Sequence, residues 1–457
     1  MMRTRAAGRA ETGGRPDSGG GRVLIAAGGA VFAAAVGLYL AAIALHPGMT
    51  AMLKGFDLRV YLDGGTLARD EPGELYSWHL AGMPGIQFTY PPFAALVFAP
   101  LSLVPWRALE VVAVIASTGA LLATLWIAFR TLGISDRTRR LGLTLLLTGL
   151  VFWVEPVQRA LFLGQVELVL MALSTWDVCQ PDRRWYKGAG VGIATAIKLV
   201  PVVFIAYLLI TRRVRAAVVA IVTFFLSVVL GWAVLPGQSD KWWLHGYFWQ
   251  ANKTGFVAFA GNQSLRGLID RFAGSDAHGQ PIWYVVAVIV GLLGLWAAYL
   301  LHRSGREFEG FMTVALIGLL DSPISWDHHW VWFAPFLAIP VAYAFRGGYR
   351  AVWIAVTGLL VVVLLGWPKL WNAGQGKGVI WLPPASGDKY GDNPAYAEYH
   401  WHGLQLLEGN LYVLIGCVML LFALAAAWRL RQASAMALAS GTALASGTAP
   451  DSAPAHE

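Results

Sequence analysis

Apolar runs alternate with short polar segments along almost the whole chain. Several runs approach the roughly 20 residues that a helix needs to cross a bilayer, and none has the strict alternation of barrel strands. Backbone polar groups in lipid are satisfied only in helices or closed barrels, so the pattern predicts an all-α polytopic membrane protein. The predicted crossings are residues 23–45, 106–130, 141–155, 166–179, 216–236, 282–302, 310–321, 331–345, 351–367 and 410–428.

One apolar run, residues 189–210, does not fit a simple crossing. Basic residues flank it on both sides, with Lys187 before it and Arg213 after it. A single crossing would place one basic flank on the wrong side of the membrane. Because Lys198 and Pro201 interrupt the run, we expect two short helices that form a hairpin, buried in protein or beside a cavity.

The distribution of charge gives the expected orientation. Only 13% of the residues are charged, against roughly 25% in ordinary soluble domains. The net charge of +8 is explained by Lys and Arg in short segments that the pattern assigns to the cytoplasm, so it does not indicate a nucleic-acid partner. We therefore expect a plasma-membrane protein with both termini in the cytoplasm and its larger polar loops outside.

The chain is predicted to contain one integral domain. Residues 23–428 form that domain, and the polar, Gly- and Ala-rich residues 1–22 and 429–457 are expected to be disordered cytoplasmic tails. Cys179 and Cys417 both fall inside apolar runs, so no disulfide framework is expected.

Two outer segments carry the candidate chemistry. In the first, residues 55–68 predict a short surface helix carrying Asp57, and 89–105 is cut by four prolines and is expected to lie along the interface. In the second, SPISWDHHWVW (322–332), three ionisable groups stand beside apolar runs, which is costly and usually marks a site. We expect this second stretch to be a turn at the outer membrane surface; 155–165 is expected to be another outer turn.

The absence of several motifs narrows the chemistry. The chain has no Walker motif, no HExxH and no Asp-x-Asp pair, which argues against a nucleotide-sugar donor held through a divalent ion. An external site without these motifs favours a membrane-borne donor such as a polyprenyl-phosphate sugar. Transfer from it requires a carboxylate base for the acceptor hydroxyl and a cationic or hydrogen-bonding cradle for the phosphate.

Each candidate has a simpler structural interpretation. Asp57 suits the base, with Tyr61 on the same helix face, but Asp is also a common helix N-cap. The cradle candidates are His328, His329, Arg266 and Lys198. A metal site at Asp327–His328–His329 is an alternative, although adjacent residues seldom form a chelating face. Lys198 either binds lipid phosphate or pairs with an acid such as Glu155 or Glu167.

Several segments together resemble the actinobacterial GT-C membrane glycosyltransferases that use polyprenyl-phosphate-mannose to form α-1,2-mannosidic bonds. The segments occur in the family's order, and the last two are the most specific. One departure is Glu167, where the family pattern leads us to expect Asn. The matching segments are FDLRVY (56–61), FTYPPFAALVFAPLSLVPW (88–106), LGQVE (163–167), AIKLVP (196–201), GNQSLRG (261–267) and SPISWDHHWVW (322–332).

The resemblance implies a GT-C fold of about 10–12 transmembrane helices, with periplasmic loops, juxtamembrane helices and a cavity at the periplasmic face. It implies Asp57 as general base in a single inverting displacement, with His328 and His329 beside the donor phosphate or the acceptor. The implied acceptor is a glycolipid of the phosphatidylinositol mannoside or lipomannan type, and no metal is expected. The expected substrate-binding residues are Asp327, Arg266, Gln263, Asn262, Gln165, Lys198, Tyr61, Tyr90 and Trp326.

Two other functions fit the same sequence. The scaffold could use another lipid-linked sugar, such as arabinose, or the protein could be a transporter or flippase of a lipid-linked saccharide. A transporter predicts ionisable residues near the membrane midplane on paired broken helices, and only 189–210 with Lys198 fits that description.

Overall fold

The computed structural model describes residues 18–45, 55–81, 83–250, 255–346, 348–369, 374–386 and 396–446. The α-helices are α1 (Ser18–Leu45), α2 (Phe56–Asp70), α3 (Pro92–Phe98), α4 (Trp106–Thr131), α5 (Arg137–Val151), α6 (Glu155–Leu163), α7 (Glu167–Val178), α8 (Ala189–Ile197), α9 (Val203–Ile210), α10 (Val214–Val234), α11 (Pro236–Ser239), α12 (Leu265–Ala273), α13 (Asp276–Arg303), α14 (Glu307–Asp321), α15 (Phe333–Ala344), α16 (Arg350–Leu364), α17 (Leu404–Gly409) and α18 (Leu411–Ser446). Two antiparallel ribbons pair β1 (His79–Leu80) with β2 (Met83–Gln87) and β3 (Trp367–Lys369) with β4 (Gly374–Lys377).

The predicted all-α membrane fold is confirmed. All ten predicted crossings are helices, namely α1, α4, α5, α7, α10, α13, α14, α15, α16 and α18. Among the described residues five of them, α1, α4, α10, α13 and α18, are long and apolar enough to cross a bilayer alone. The others are shorter: the 15 residues of α14 extend about 22 Å, less than the roughly 30 Å of a hydrocarbon core.

The helices differ from the sequence-based segments in three places. Residues 155–165 form helix α6 rather than a simple turn, and the chain bends by 115° between α6 and α7. Gly164 makes the bend possible, since its φ of 68° suits glycine. Helix α1 starts at Ser18 and α18 continues to Ser446, so the first and last helices extend beyond residues 23 and 428. Residues 1–17 and 447–457 lie outside the described part of the chain.

Contacts between helices agree with the predicted order of crossings. Helices α1 and α5 run in the same direction: Gly28 lies against Gly142, and Phe32 lies against Gly149. Helices α13 and α14 run in opposite directions, with Gly294 beside Ile317 and Gly310 beside Ala298. Both relative directions are those expected if the predicted crossings run outward and inward in turn.

The contact between α1 and α5 gives a testable prediction of stability. A Cβ atom on Gly28 would lie 2.4 Å from the carbonyl oxygen of Gly142, whereas one on the adjacent Gly29 would have no neighbour within 4 Å. We expect Gly28→Ala to lower the stability by roughly 1–3 kcal/mol, because the helices must separate. The measurement is thermal unfolding in detergent, with Gly29→Ala as the matched control. Equal melting temperatures for the two variants would contradict this packing.

The segment 189–210 consists of two short helices, as predicted. Helix α8 ends at Lys198, whose φ of −147° and ψ of 126° are extended, and α9 follows after a short 3₁₀ turn at Val200–Val202. The ends of the segment meet, because Asp182 pairs with both Lys187 and Arg213. The chain therefore enters and leaves this segment on one side, with Lys198 near its tip.

The stretch 322–332 begins where α14 ends, beside the middle of α13. A Cβ on Gly291 would be 3.1 Å from a carboxylate oxygen of Asp321, so the end of α14 is level with the middle of α13. Helix α13 is long enough to cross a bilayer, whereas α14 stops beside its midpoint. The stretch therefore begins next to the middle of α13, because α14 is only 15 residues long.

Helix α2 is held by a second apolar cluster outside the main bundle. The cluster joins α2 and α3 to the segments around residues 75–90 and 235–248. Tyr61 of α2 stacks on Phe98 of α3 with ring centroids 4.5 Å apart. Arg59 lies on the other side, over the ring of Trp106. This packing turns one face of α2, which carries Asp57, towards the bundle.

Candidate active site

A cavity of about 820 Å³ lies between α2, α6, the tip of the 189–210 segment and the stretch 322–329. Asp57, Lys198, His328 and His329 all line it, although they are far apart in sequence. Among the other predicted site residues, those in the lining are Gln165, Tyr90, Asp327 and Trp326.

Backbone pairing connects the two most specific segments. Residues 261–263 run beside 325–327: Gln263 N–H donates to the Ser325 carbonyl, and Asp327 N–H donates to the Gly261 carbonyl. The side chain of Asn262 adds bonds to Pro323 O and Ser325 N. These bonds fix the backbone here, and with it the directions in which the side chains of Asp327, His328 and His329 point.

Asp57 stands in the first turn of α2 and is partly buried. Its Oδ2 accepts a hydrogen bond of 2.7 Å from Gln165 Nε2. The backbone supports this contact, because Gly55 N–H donates to the Phe162 carbonyl at the end of α6. A carboxylate is therefore fixed at the cavity wall.

Lys198, Glu167 and His329 form a compact polar cluster beside the cavity. The Lys198 ammonium contacts Glu167 Oε1 and lies 3.1 Å from His329 Nε2. Burial, together with the charges of Lys198 and of His328, lowers the pKa of His329 well below its usual value. His329 is accordingly neutral, and its Nε2 faces both the Lys198 ammonium and Glu167 Oε1, the latter at 3.3 Å. Lys198 supplies the positive charge of this cluster.

Arg159 was not identified from the sequence. It lies in α6, lines the cavity and places Nε 3.3 Å from Asp327 Oδ2. Its guanidinium also lies 5.4 Å from the ring of Phe162 and 5.6 Å from that of Trp381. No local pattern distinguishes Arg159 from an ordinary surface arginine on an amphipathic helix.

The charge of Asp327 is maintained by its neighbours. Burial by itself raises the pKa of the Asp327 carboxyl, but Arg159 and the hydrogen bond from His328 outweigh burial and hold the pKa at about 2. Asp327 Oδ1 accepts from the His328 backbone N–H and faces its Nδ1 at 3.1 Å. Asp327 therefore acts as a counter-ion that orients Arg159 and His328.

Three residues offer ligand atoms close enough for a metal ion. Atoms of Glu167, His328 and His329 all lie within 4.8 Å of one another. The Lys198 ammonium already contacts Glu167 and His329. A metal ion would have to displace Lys198 or stand beside its like charge, so this donor set does not fit a resident ion well.

Four of the predicted substrate-binding residues do not line the cavity. Asn262 and Gln263 are fully buried, and Gln263 bonds to the Ala260 and Gly409 carbonyls and to Tyr412 N–H. Arg266 is 4% exposed and pairs with Asp270 and Asp276. Tyr61 lies behind the wall, where it bonds to Gln165 and Tyr90. These four side chains lie outside the lining, and their polar atoms are bonded within the protein.

Aromatic side chains form much of the remaining lining. They come from 242–249, from residue 259 next to the paired segment, and from the region around 381. Flat apolar rings near charged groups suit a sugar with a lipid attached. The aromatic lining residues are Phe56, Tyr90, Phe162, Trp242, Phe248, Trp249, Phe259, Trp326 and Trp381.

Comparison with known proteins gives consistent similarities. The sequence model of glycosyltransferase family 87 matches residues 88–323. A polyprenol-phosphate-mannose-dependent α-(1-2)-phosphatidylinositol pentamannoside mannosyltransferase of Mycobacterium tuberculosis is 34% identical over 335 residues, 71% of this chain and 77% of that protein. The Mycolicibacterium smegmatis protein of the same name is 34% identical over 71% of this chain and 80% of its own length.

A second type of relative is slightly more distant. A polyprenol-phosphate-mannose-dependent α-(1-2)-phosphatidylinositol mannoside mannosyltransferase of M. tuberculosis is 32% identical over 68% of this chain and 73% of its own. No solved structure matches the chain significantly. Asp57 and His328 both lie outside the part of the chain that the family model matches, so their placement in one cavity is a separate observation.

Proposed function

The chain belongs to glycosyltransferase family 87, and on that premise we propose that it transfers mannose from polyprenyl-phosphate-mannose to a hydroxyl of a phosphatidylinositol mannoside or lipomannan-type glycolipid. The proposed linkage is α-1,2, as in the names of its relatives. The protein is a multi-pass membrane protein. We place the cavity on the periplasmic side because the basic segments expected in the cytoplasm lie at the other ends of the helices.

The observation that carries the proposal is one cavity lined by a carboxylate and by cations that come from different elements. Asp57 stands on α2, while Lys198 and Arg159 come from the tip of 189–210 and from α6. Mannose transfer needs both a base for the acceptor hydroxyl and positive charge for the phosphate. Asp57 takes the proton of the acceptor hydroxyl as its oxygen attacks the anomeric carbon, and the bond from that carbon to the phosphate oxygen breaks.

The stereochemistry follows from a single displacement. The acceptor oxygen attacks from the face opposite the phosphate, so a β-linked donor gives an α-linked product. One base is sufficient, since no covalent glycosyl intermediate needs a second carboxylate. Asp327 and Glu167 are each paired with a cation, which leaves Asp57 for the role of base.

The departing polyprenyl phosphate gains negative charge as the glycosyl bond breaks. Lys198 and Arg159 are the cations that line the cavity, and both are close to counter-ions of the protein. Fixed cations in a site sheltered from water stabilise such charge strongly. His329 is neutral and contributes a hydrogen-bonding group rather than a charge.

We propose that the reaction needs no resident metal. The Lys198 ammonium occupies the position at which Glu167 and His329 would bind an ion, and it supplies a positive charge there. Transfer by purified protein in excess chelator, compared with Mg²⁺ and Mn²⁺ additions, tests this proposal. Activity that falls with chelator and returns only with a divalent ion would contradict it.

Labelled mannose transfer tests the function directly. Purified protein in detergent is incubated with phosphatidylinositol mannoside acceptors and a panel of donors, including polyprenyl-phosphate-mannose and polyprenyl-phosphate-arabinose, and the product linkage is determined. We expect an α-1,2-linked mannoside from the mannose donor alone. Transfer of arabinose instead would favour the alternative sugar. Absence of any product in detergent, where no compartments exist, would favour a transporter.

Arg159→Gln is expected to raise the donor KM and to lower kcat/KM by roughly 10- to 100-fold, because a charged hydrogen bond to phosphate contributes about 1.5–3 kcal/mol. Arg59→Gln is the matched control, since Arg59 stacks on Trp106 and does not line the cavity. Arg159→Gln alone leaves Asp327 without its counter-ion. The double variant Arg159→Gln/Asp327→Asn also removes the charge of Asp327, and its mannose transfer is expected to remain impaired. An unchanged donor KM in both Arg159 variants would exclude phosphate binding by this residue.

A further inference from the structure

Gln165 joins the candidate base to a chain of buried hydroxyl groups. Its Nε2 donates to Asp57 Oδ2 at 2.7 Å, and its Oε1 accepts from the Tyr61 hydroxyl at 2.6 Å. The Tyr61 hydroxyl also lies 3.1 Å from the Tyr90 hydroxyl. The side chain of Gln165 therefore has a partner at both ends of its amide.

These partners allow one orientation of the amide. A carboxylate accepts only, so it requires the NH₂ end of Gln165. Burial, with smaller effects of Tyr90 and of Asp57, raises the pKa of Tyr61 well above its usual value, so its hydroxyl stays protonated and can donate. The reverse orientation would place the amide oxygen against the carboxylate and leave the tyrosine facing the NH₂ group. Asp57 thus requires the NH₂ end of Gln165, and Tyr61 stabilises that orientation by donating to Oε1.

The backbone around Gln165 is rigid enough to transmit this orientation. Gly164 adopts a left-handed conformation with φ of 68° at the end of α6, and Gln165 N–H donates to the Ala160 carbonyl. A Cβ on Gly164 would lie 2.6 Å from Leu58 Cβ of α2. A glycine at that position lets α6 and α2 approach closely, which brings Gln165 within hydrogen-bond distance of Asp57.

We infer that Gln165 is a positioning residue for the base: it holds Asp57 through Oδ2 and leaves Oδ1 for the acceptor hydroxyl. This inference rests on the proposed function and assigns Gln165, which we first predicted to bind substrate, a different task. Within the described part of the chain, Asp57 Oδ1 has no hydrogen-bond partner. A neutral amide suits the task, because it orients the carboxylate without neutralising its charge as an arginine would.

Other ionisable groups surround Asp57 and stay unchanged in the test. A substitution of Gln165 leaves these groups in place, so a shift of the pH profile relative to wild type can be assigned to Gln165. These groups are Tyr61 on the same helix, Tyr90, the Lys198–Glu167 pair, and Arg159, Asp327, His328 and His329 on the cavity walls.

Gln165→Glu is the decisive variant. It places a second carboxyl group beside Asp57, and two carboxylates at hydrogen-bond distance share a proton, so one of them titrates at higher pH. We expect the acidic limb of the kcat/KM profile to move to higher pH by at least one unit. Gln87→Glu is the matched control, because it adds the same charge to the cavity lining but bonds to Tyr247. An acidic limb that coincides with that of wild type would overturn the inference.

Tyr61→Phe tests the same chain of hydrogen bonds, from Tyr61 through Gln165 to Asp57, without a change of charge. It removes the bond that orients the amide, and we expect kcat to fall about three- to tenfold while the donor KM stays within twofold. A raised KM with unchanged kcat would instead indicate substrate binding and contradict positioning. If Gln165→Glu does not fold, Gln165→Ala is judged by the same separation of kcat from KM. If the wild-type protein transferred no mannose at all, the proposed function itself would be refuted. That outcome is distinct from those of the variants.

Discussion

Asp57→Asn is expected to reduce mannose transfer by roughly 10²- to 10⁴-fold, the usual contribution of a positioned general base. The amide is similar in shape to the carboxylate but cannot accept the proton of the acceptor hydroxyl. Because Asp57 does not contact the donor phosphate in the proposed reaction, the donor KM should stay within a few-fold of wild type. The measurement is labelled mannose transfer over a range of donor concentrations, with the purified variant in detergent.

Asp63→Asn is the matched control for this experiment. Asp63 is on the same helix and receives the same substitution, but it does not line the cavity. We expect its variant to keep most of the wild-type activity. Undiminished transfer by Asp57→Asn would remove Asp57 as the base, and an equal loss in Asp63→Asn would attribute the effect to a distorted α2.

Lys198→Met is expected to abolish measurable transfer and also to destabilise the protein. The side chains of Lys198 and Glu167 are only 15% and 12% exposed. Removal of one partner of a buried ion pair typically costs about 3–5 kcal/mol, since the remaining charge is left uncompensated. The variant also lacks the charge that we propose stabilises the departing phosphate.

The double variant Lys198→Met/Glu167→Gln separates these two effects. It removes both charges, so thermal unfolding in detergent should return most of the way to the wild-type melting temperature. Transfer should stay low, with a raised donor KM, because the cation is still missing. Recovery of activity together with stability would mean that Lys198 only neutralises Glu167 and has no role towards the donor.

Membrane association and the identity of the helices could be predicted from the sequence, since both depend on local composition. Apolar runs and basic flanks predicted the ten helical segments, and the basic flanks on both sides of 189–210 predicted that its ends meet. The position of 322–332 relative to α13 could not be predicted this way. It depends on where α14 stops beside α13, and the contact between Gly291 and Asp321 joins residues on different helices.

The roles of individual polar residues could also be predicted only in part from the sequence. The sequence identified Asp57, Lys198, His328 and His329, because ionisable groups beside apolar runs are costly and stand out. It could not separate residues that face a cavity from residues that support its walls. Asn262, Gln263 and Arg266 are as polar as the cavity residues, but their atoms are already bonded within the protein.

What the sequence by itself determined was an all-α membrane protein with a candidate base and a candidate histidine pair in separate outer segments. Only the tertiary structure decided that 322–332 is paired with 261–263, that Arg159 faces Asp327, and that Gln165 holds Asp57. The physical reason is that propensity and hydropathy act over a few neighbouring residues. These three contacts instead join residues that are far apart in the sequence, from Gln263 and Ser325 to Arg159 and Asp327, and their geometry is fixed only when the helices pack.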